Sequence, residues 1–169
     1  DSYLMASEFQ GKNGRISLFN VKITSKQNKH NIYNAIKSHI EEFNKENKIC
    51  NKRVIIAGNI DTNIEEKSYQ DFMSSLSLKD TSSDFCSIHS KCYTKTPENK
   101  FNKFISNSIS YLRSDRILVH KDTIVMSGKV VYNKAEEQKK IFKKRYKFSS
   151  LYPSKRFGWE ANVSLPKCL

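Results

Sequence analysis

Apolar positions change their period along this chain. In GRISLFNVKIT, residues 14 to 24, they alternate, with Ile16, Leu18 and Asn20 on one side and Phe19, Val21 and Ile23 on the other. That is the two-residue period of a strand, and apolar character on both sides places it in a sheet interior. From Asn31 the period lengthens: Ile32, Ile36, Ile40 and Phe43 recur at spacings of four, four and three, the stripe of an amphipathic helix with Asn31 as its cap. RVIIAG then reads as a short buried strand. EEKSYQDFMSSLSL sets Tyr69, Phe72, Met73 and Leu76 on one helical side behind an acidic first turn.

Residues 80 to 110 are rich in Ser, Thr, Asn and Lys with scattered aromatics, which suits loops and short strands. DRILVH is a further strand, and TIVMSGKVVYN reads as a strand pair turned at Ser127-Gly128. Residues 134 to 148 form a basic helix or an insertion. FGWEANVSL alternates again, with Trp159, Ala161, Val163 and Leu165 on one face. Strand, helix, strand, helix and several strands predict one α/β layered domain over residues 1 to 169, with loops at strand ends carrying the chemistry.

Length agrees, since 169 residues suit one domain with a real core. No run of 18 apolar residues and no basic-then-apolar opening is visible, so neither a membrane span nor a secretory signal is expected. Thirty Lys and Arg against seventeen Asp and Glu leave a net charge of +13, much of it in KKIFKKRYKF (139 to 148) and around Lys95 to Lys103. Such a balance favours polyanionic partners, nucleic acid ahead of acidic membrane; a Lys-, Asn- and Ile-rich AT-biased gene is the competing source of the excess. The four cysteines, Cys50, Cys86, Cys92 and Cys168, form no CxxC pair and have no His at zinc-finger spacing. Cys86 with Cys92 would close a short loop, but three pairings and a fully reduced state are all compatible with the spacing.

Four segments, in order, carry a resemblance. LFNVKIT resembles an N-x-H-L strand, VIIAGNIDTN a (hydrophobic)-G-D-x-N turn, YLRSDRILVH a strand bearing D-R-I, and YPSKRFGW a P-S-D-H segment before a last strand. Together they resemble the endonuclease/exonuclease/phosphatase superfamily, whose fold is that of deoxyribonuclease I. CYTKTPENKF is similar to a loop of the tyrosyl-DNA phosphodiesterase 2-like branch. The resemblance implies half of a four-layered α/β-sandwich, the C-terminal part of such a domain. The family's first half, with its metal-binding Glu, has no counterpart here, so a bare sheet face is expected to call for another chain or a preceding segment.

The resemblance also implies a site, read position by position. The family attacks a phosphodiester with water, using a divalent cation, carboxylates and a His–Asp pair. Here Asn59 stands at the Asp place and Asp61 at the Asn place of the G-D-x-N turn. An amide neither ionises nor takes a proton at neutral pH, while the Asp61 carboxylate is the one candidate metal ligand. The His of N-x-H-L is Lys22, and the D-H pair is Lys155-Arg156; both changes remove imidazole and supply fixed positive charge. Asp115 is retained, and an Asp115–Arg156 ion pair is expected in place of the Asp–His couple, with a solvent-facing strand-end Asp115 as the alternative. Lys22, Lys155 and Arg156, with Tyr93 and Thr94 and the nearby Thr96, are candidate phosphate contacts. His30, His39, His89 and His120 match no family position.

Three functions follow from this reading. The first is a catalytically degenerate domain that binds or scaffolds nucleic acid or another polyanion, with no cofactor expected. The second is an Mg-dependent phosphodiesterase with a rearranged site around Asp61 and Asp115. The third is a structural subunit of a ribonucleoprotein or other complex.

Overall fold

The computed structural model describes residues 3–23, 28–60, 62, 65–83, 85, 115–131 and 158–168. Its strands and helices are β1 (Tyr3–Gly11), β2 (Gly14–Ile23), α1 (Lys29–Glu46), β3 (Val54–Ile60), α2 (Lys67–Ser75), β4 (Leu78–Asp80), β5 (Asp115–His120), β6 (Ile124–Val131) and β7 (Gly158–Ser164), with a 3-10 turn at Asn51–Arg53 before β3. A five-stranded sheet runs in the order β1-β2-β3-β5-β4, and β6 pairs with β7 in a second sheet. Only β2 and β3 pair in parallel, joined by the crossover through α1; the other pairings are antiparallel. The architecture is mixed α/β, as the alternation of periods predicts.

One face of the large sheet is sealed by the helices. Phe19, Val21 and Ile23 from β2, Val54, Ile56 and Ile60 from β3, and Leu118 from β5 meet Tyr33, Ile36 and Ile40 of α1 and Tyr69 and Phe72 of α2. Tyr33 stacks on Phe72 at 5.0 Å, and Phe19 meets Phe43 edge-on at 5.4 Å. Each large side chain so buried stabilises the fold by about 1.5–3 kcal/mol relative to exposure. Over β1 and β2 the opposite face is open among the described residues, while at β5 it is closed, with Val119, in register with Ile55, fully buried. Cross-strand register puts Met5, Phe9, Ile16, Leu18, Ile55, Ala57 and Ile117 on it, all half-buried or exposed, with Met5 at 62% and Phe9 at 51% exposure. β2 is interior to the sheet, but only its Phe19 side is covered.

Four details differ from the pattern reading. Asn28, not Asn31, caps α1: its side-chain oxygen accepts the Asn31 amide, which places Asn31 inside the first turn. Glu65 and Glu66 precede α2 rather than forming its first turn. Ser127-Gly128 is no turn; β6 runs straight through it, with a register shift between Val125 and Ser127. A Cβ at Gly128 would collide with the Trp159 ring, so this glycine admits an aromatic side chain rather than reversing the chain. The fourth is β1, an edge strand with a largely exposed side-chain pattern and therefore no clean alternation to announce it. The turn before β6, Lys121-Asp122-Thr123, takes the chain from β5 in the large sheet to β6 in the small one.

Trp159, Ala161 and Val163 of β7, with Leu165 just beyond it, take the less exposed side as predicted, and Trp159 Nε1 donates to Thr81 Oγ1 at 2.8 Å. The tail beyond β7 is bonded back by the Cys50–Cys168 disulfide, which settles the pairing for these two cysteines. The Cys86–Cys92 loop and residues 134 to 148 lie outside the described residues. No described helix is long and apolar enough to cross a membrane.

Candidate functional site

Three of the family positions are brought into one row. Lys22 on β2 is in register with Asn59 on β3, and Asn59 with Asp115 on β5. Tyr3 of β1 extends the row as the partner of Lys22. The row crosses the open face near the C-terminal ends of β2 and β3, where an α/β sheet presents ligands to its loops. Asn59 Nδ2 donates to Asp115 Oδ1 at 3.4 Å. Asp115 is half-buried and faces Asn59, which corrects the alternative of a solvent-facing turn residue. Asp61, Tyr93, Thr94, Thr96, Lys155 and Arg156 lie outside the described residues, and with them the Asp115–Arg156 pair.

Gly58 fixes where the row sits. Its φ is +141°, and a Cβ there would overlap the Val21 carbonyl oxygen of the neighbouring strand. Only glycine allows β2 and β3 to close at this point, one residue before Asn59.

Beneath the row, on the helix side, a buried polar cluster holds Thr62, two residues beyond the end of β3. Arg116, with 1% side-chain exposure, pairs with Asp80 at 2.7 Å and donates through Nη2 to the Thr62 carbonyl at 3.3 Å. Its guanidinium lies over the Tyr69 ring, 5.4 Å from the centroid, and Asp80 accepts from the Ser82 amide and hydroxyl. Thr62 Oγ1 donates to Glu66 at 2.8 Å, and Lys29 Nζ reaches both Thr62 Oγ1 at 3.2 Å and Glu66 at 2.7 Å. Burial alone would raise the Glu66 carboxyl, but hydrogen bonds from Lys29, Ser68 and Thr62 outweigh it and hold its pKa below the ordinary value. Burial pushes the Tyr33 hydroxyl up to about 12 and raises Tyr69 further, so both stay neutral.

Sequence reading passed over this cluster. Its signal was the alternation in DRILVH: Arg116 shares a side with Leu118 and so points at the helices, where a charge demands a partner.

The described donor set suits Mg poorly. Magnesium wants hard, preferably anionic oxygen, and the row offers one carboxylate beside an amide whose NH₂ faces it and an ammonium. Among the described residues no three His, Cys, Asp or Glu converge as metal ligands. His39 stands edge-on to Phe19 and His30 contacts Asn34. His120 is buried at the far end of β5, its pKa lowered by that burial.

No protein-family model matches the chain, and no curated protein matches it by sequence. Solved structures do. An endonuclease/exonuclease/phosphatase family protein from Bacteroides thetaiotaomicron superposes with a TM-score of 0.63 at 16% identity, over 95% of this chain and 55% of its own. The chain has the deoxyribonuclease I-like fold. The catalytic domain of human Nocturnin, with bound sulfate, shares that fold with a TM-score of 0.59 at 13% identity, over 98% of this chain and 53% of its own. A mannosyl-6-phosphatase from Bacteroides thetaiotaomicron gives 0.55 at 18%, over 89% and 51%. The chain spans about half the length of these structures, matching half of a deoxyribonuclease I-like sandwich.

Proposed function

We propose that residues 1 to 169 are the C-terminal part of an endonuclease/exonuclease/phosphatase-like domain that has exchanged catalysis for binding, and that it holds nucleic acid or another polyanion through its former phosphate site. The row of Lys22, Asn59 and Asp115 carries this reading. At the three positions where the family places His, Asp and Asp, the chain has an ammonium, an amide and one carboxylate. The amide faces that carboxylate at 3.4 Å, so it neither abstracts a proton from water nor offers negative charge to a cation. Lys155 and Arg156 add two cations at the family's Asp–His positions, and fixed positive charge substitutes for a metal in attracting phosphate oxygens. Concerted catalytic groups fail as a unit, so several substitutions together leave no step to run. A phosphatase and a sulfate-bound domain among the fold relatives are consistent with an oxyanion as the ligand. The branch nearest tyrosyl-DNA phosphodiesterase 2 rests on CYTKTPENKF.

Assay of the purified chain with added Mg against a phosphodiester and a labelled oligonucleotide tests it. Binding without turnover, weakened at least tenfold between about 50 and 200 mM salt and weakened again in Lys22→Glu/Lys155→Glu/Arg156→Glu, is the expected result. Mg-dependent hydrolysis abolished by Asp61→Ala would instead establish the rearranged phosphodiesterase, the reading that the retained Asp115 carboxylate favours. The structural-subunit reading draws on the open apolar face, and co-purification of a segment that covers Met5 and Phe9 would favour it.

A further inference from the structure

Basic charge is not spread evenly over the described residues. They hold fifteen Lys and Arg against eleven Asp and Glu. At the end of the sheet opposite the Lys22 row the count is eight against three (Glu8, Glu46 and Asp122); over everything else it is seven against eight. The excess of four among the described residues, fifteen less eleven, therefore sits at that pole. It is separated from the Lys22 row by the length of β2 between Arg15 and Lys22, roughly 23 Å at strand rise.

Several independent elements deliver these cations. Lys12 lies in the β1–β2 turn, Lys45 and Lys48 at the end of α1, Lys52 in the 3-10 turn, Lys121 in the β5–β6 turn and Lys167 in the tail, all exposed. Hydrogen bonds and an ion pair tie the elements together. Arg15 donates to the Asn47 carbonyl at 3.0 Å, and Lys52 pairs with Asp122 at 2.9 Å. Buried Arg53 donates to the carbonyls of Arg15 at 2.9 Å, Gly14 at 3.4 Å and Pro166 at 2.9 Å, and the Cys50–Cys168 disulfide closes the same end. These bonds fasten the turns to one another, which lowers the cost of ordering the backbone that carries the cations on binding.

We propose that this pole is a second polyanion-binding surface, fitted to the sugar-phosphate backbone of a nucleic acid and independent of the Lys22 site. The inference does not rest on the reading of that site. Nucleic acid is favoured over a lipid surface by the uncharged neighbours. Asn13, Asn47 and Asn51 stand between the cations, supplying donors and acceptors for phosphate and sugar. The turn tips carry no large apolar side chain of the kind that enters a bilayer interface; the exposed Phe9 and Ile124 nearest them stand on β1 and β6. Three strand spacings separate β1 from β5, about 14 Å in all, enough to face roughly four phosphates of one strand.

Two variant sets of equal charge change separate this surface from net charge alone. One is Lys12→Glu/Lys48→Glu/Lys121→Glu at the pole; the other is Lys37→Glu/Lys67→Glu/Lys129→Glu on the remaining surface. Fluorescence anisotropy with a labelled oligonucleotide is expected to show the pole set weakened about tenfold or more, its salt slope shallower by about 2 to 3, and the other set weakened less than half as much on a logarithmic scale. Equal weakening by both sets, or by neither, would overturn the proposal. So would a pole set that loses binding to phosphatidylserine vesicles while keeping its oligonucleotide. If the pole set melts early, the Gln variants at the same three positions are read in its place. Weakening in the Lys22, Lys155 and Arg156 set without any in the pole set, or the reverse, tells failure of one surface from failure of the other.

Discussion

Gly58 shows how much one residue decides. Its backbone is closed against Val21 with φ at +141°, so Gly58→Ala is expected to cost at least about 2 kcal/mol. Chemical denaturation would read this as a lower midpoint at unchanged slope. His120 sets an acid limit. Burial lowers its pKa below 6.5, so the folded state holds fewer protons than the unfolded state. Its contribution is fully present above pH 6.5 and is lost as pH falls through the folded pKa. Glu66, held below 4.5, adds a loss of the same sign at lower pH. Thermal melts should fall from pH 7 to pH 5, and His120→Gln should flatten that first segment. Asn59 was legible from sequence because an amide at a carboxylate position is a change of residue type. Its turn toward Asp115 was not, since the bond joins residues on different strands.

At the scale of elements, α1 is held at both ends by local chemistry. Asn28 caps its start. At its end Lys48 has φ of 53° while Ile49 N donates to Asn44 O at 2.8 Å and Lys48 N to Lys45 O at 3.3 Å, the paired bonds of a Schellman ending. A lysine in that left-handed position is strained relative to glycine. Lys48→Gly should therefore stabilise by about 0.5–1 kcal/mol, and Asn28→Ala should cost about 1 kcal/mol; opposite shifts in melting temperature would check both. The stripes of α1 and α2 and the strands β2, β3, β5 and β7 could be read from periodicity because each buries one regular face. β1 could not, since an edge strand over an open face carries little alternation. The Ser127-Gly128 turn failed because a glycine in a strand can equally mark close approach, here by Trp159.

Across the whole molecule, the disulfide joins Cys50 and Cys168 over a separation of 118 residues. Closing so long a loop restricts the unfolded chain by about 4 to 5 kcal/mol. Reduction, or Cys50→Ser with Cys168→Ser, should lower the melting midpoint by roughly 10 °C or more, read by calorimetry with and without a dithiol. The bond also fastens the tail of the small sheet to the base of the large one, so hydrogen exchange in β6 and β7 should rise most. Sequence by itself determined the periods, hence which segments are strands and helices, and the residue types at the family positions, because both are properties of neighbours along the chain. Tertiary structure alone decided the row of Lys22, Asn59 and Asp115, the buried Arg116 cluster, the cysteine pairing and the pole where basic charge collects. Each of these depends on strand register and chain crossing, which bring together residues that no local spacing relates.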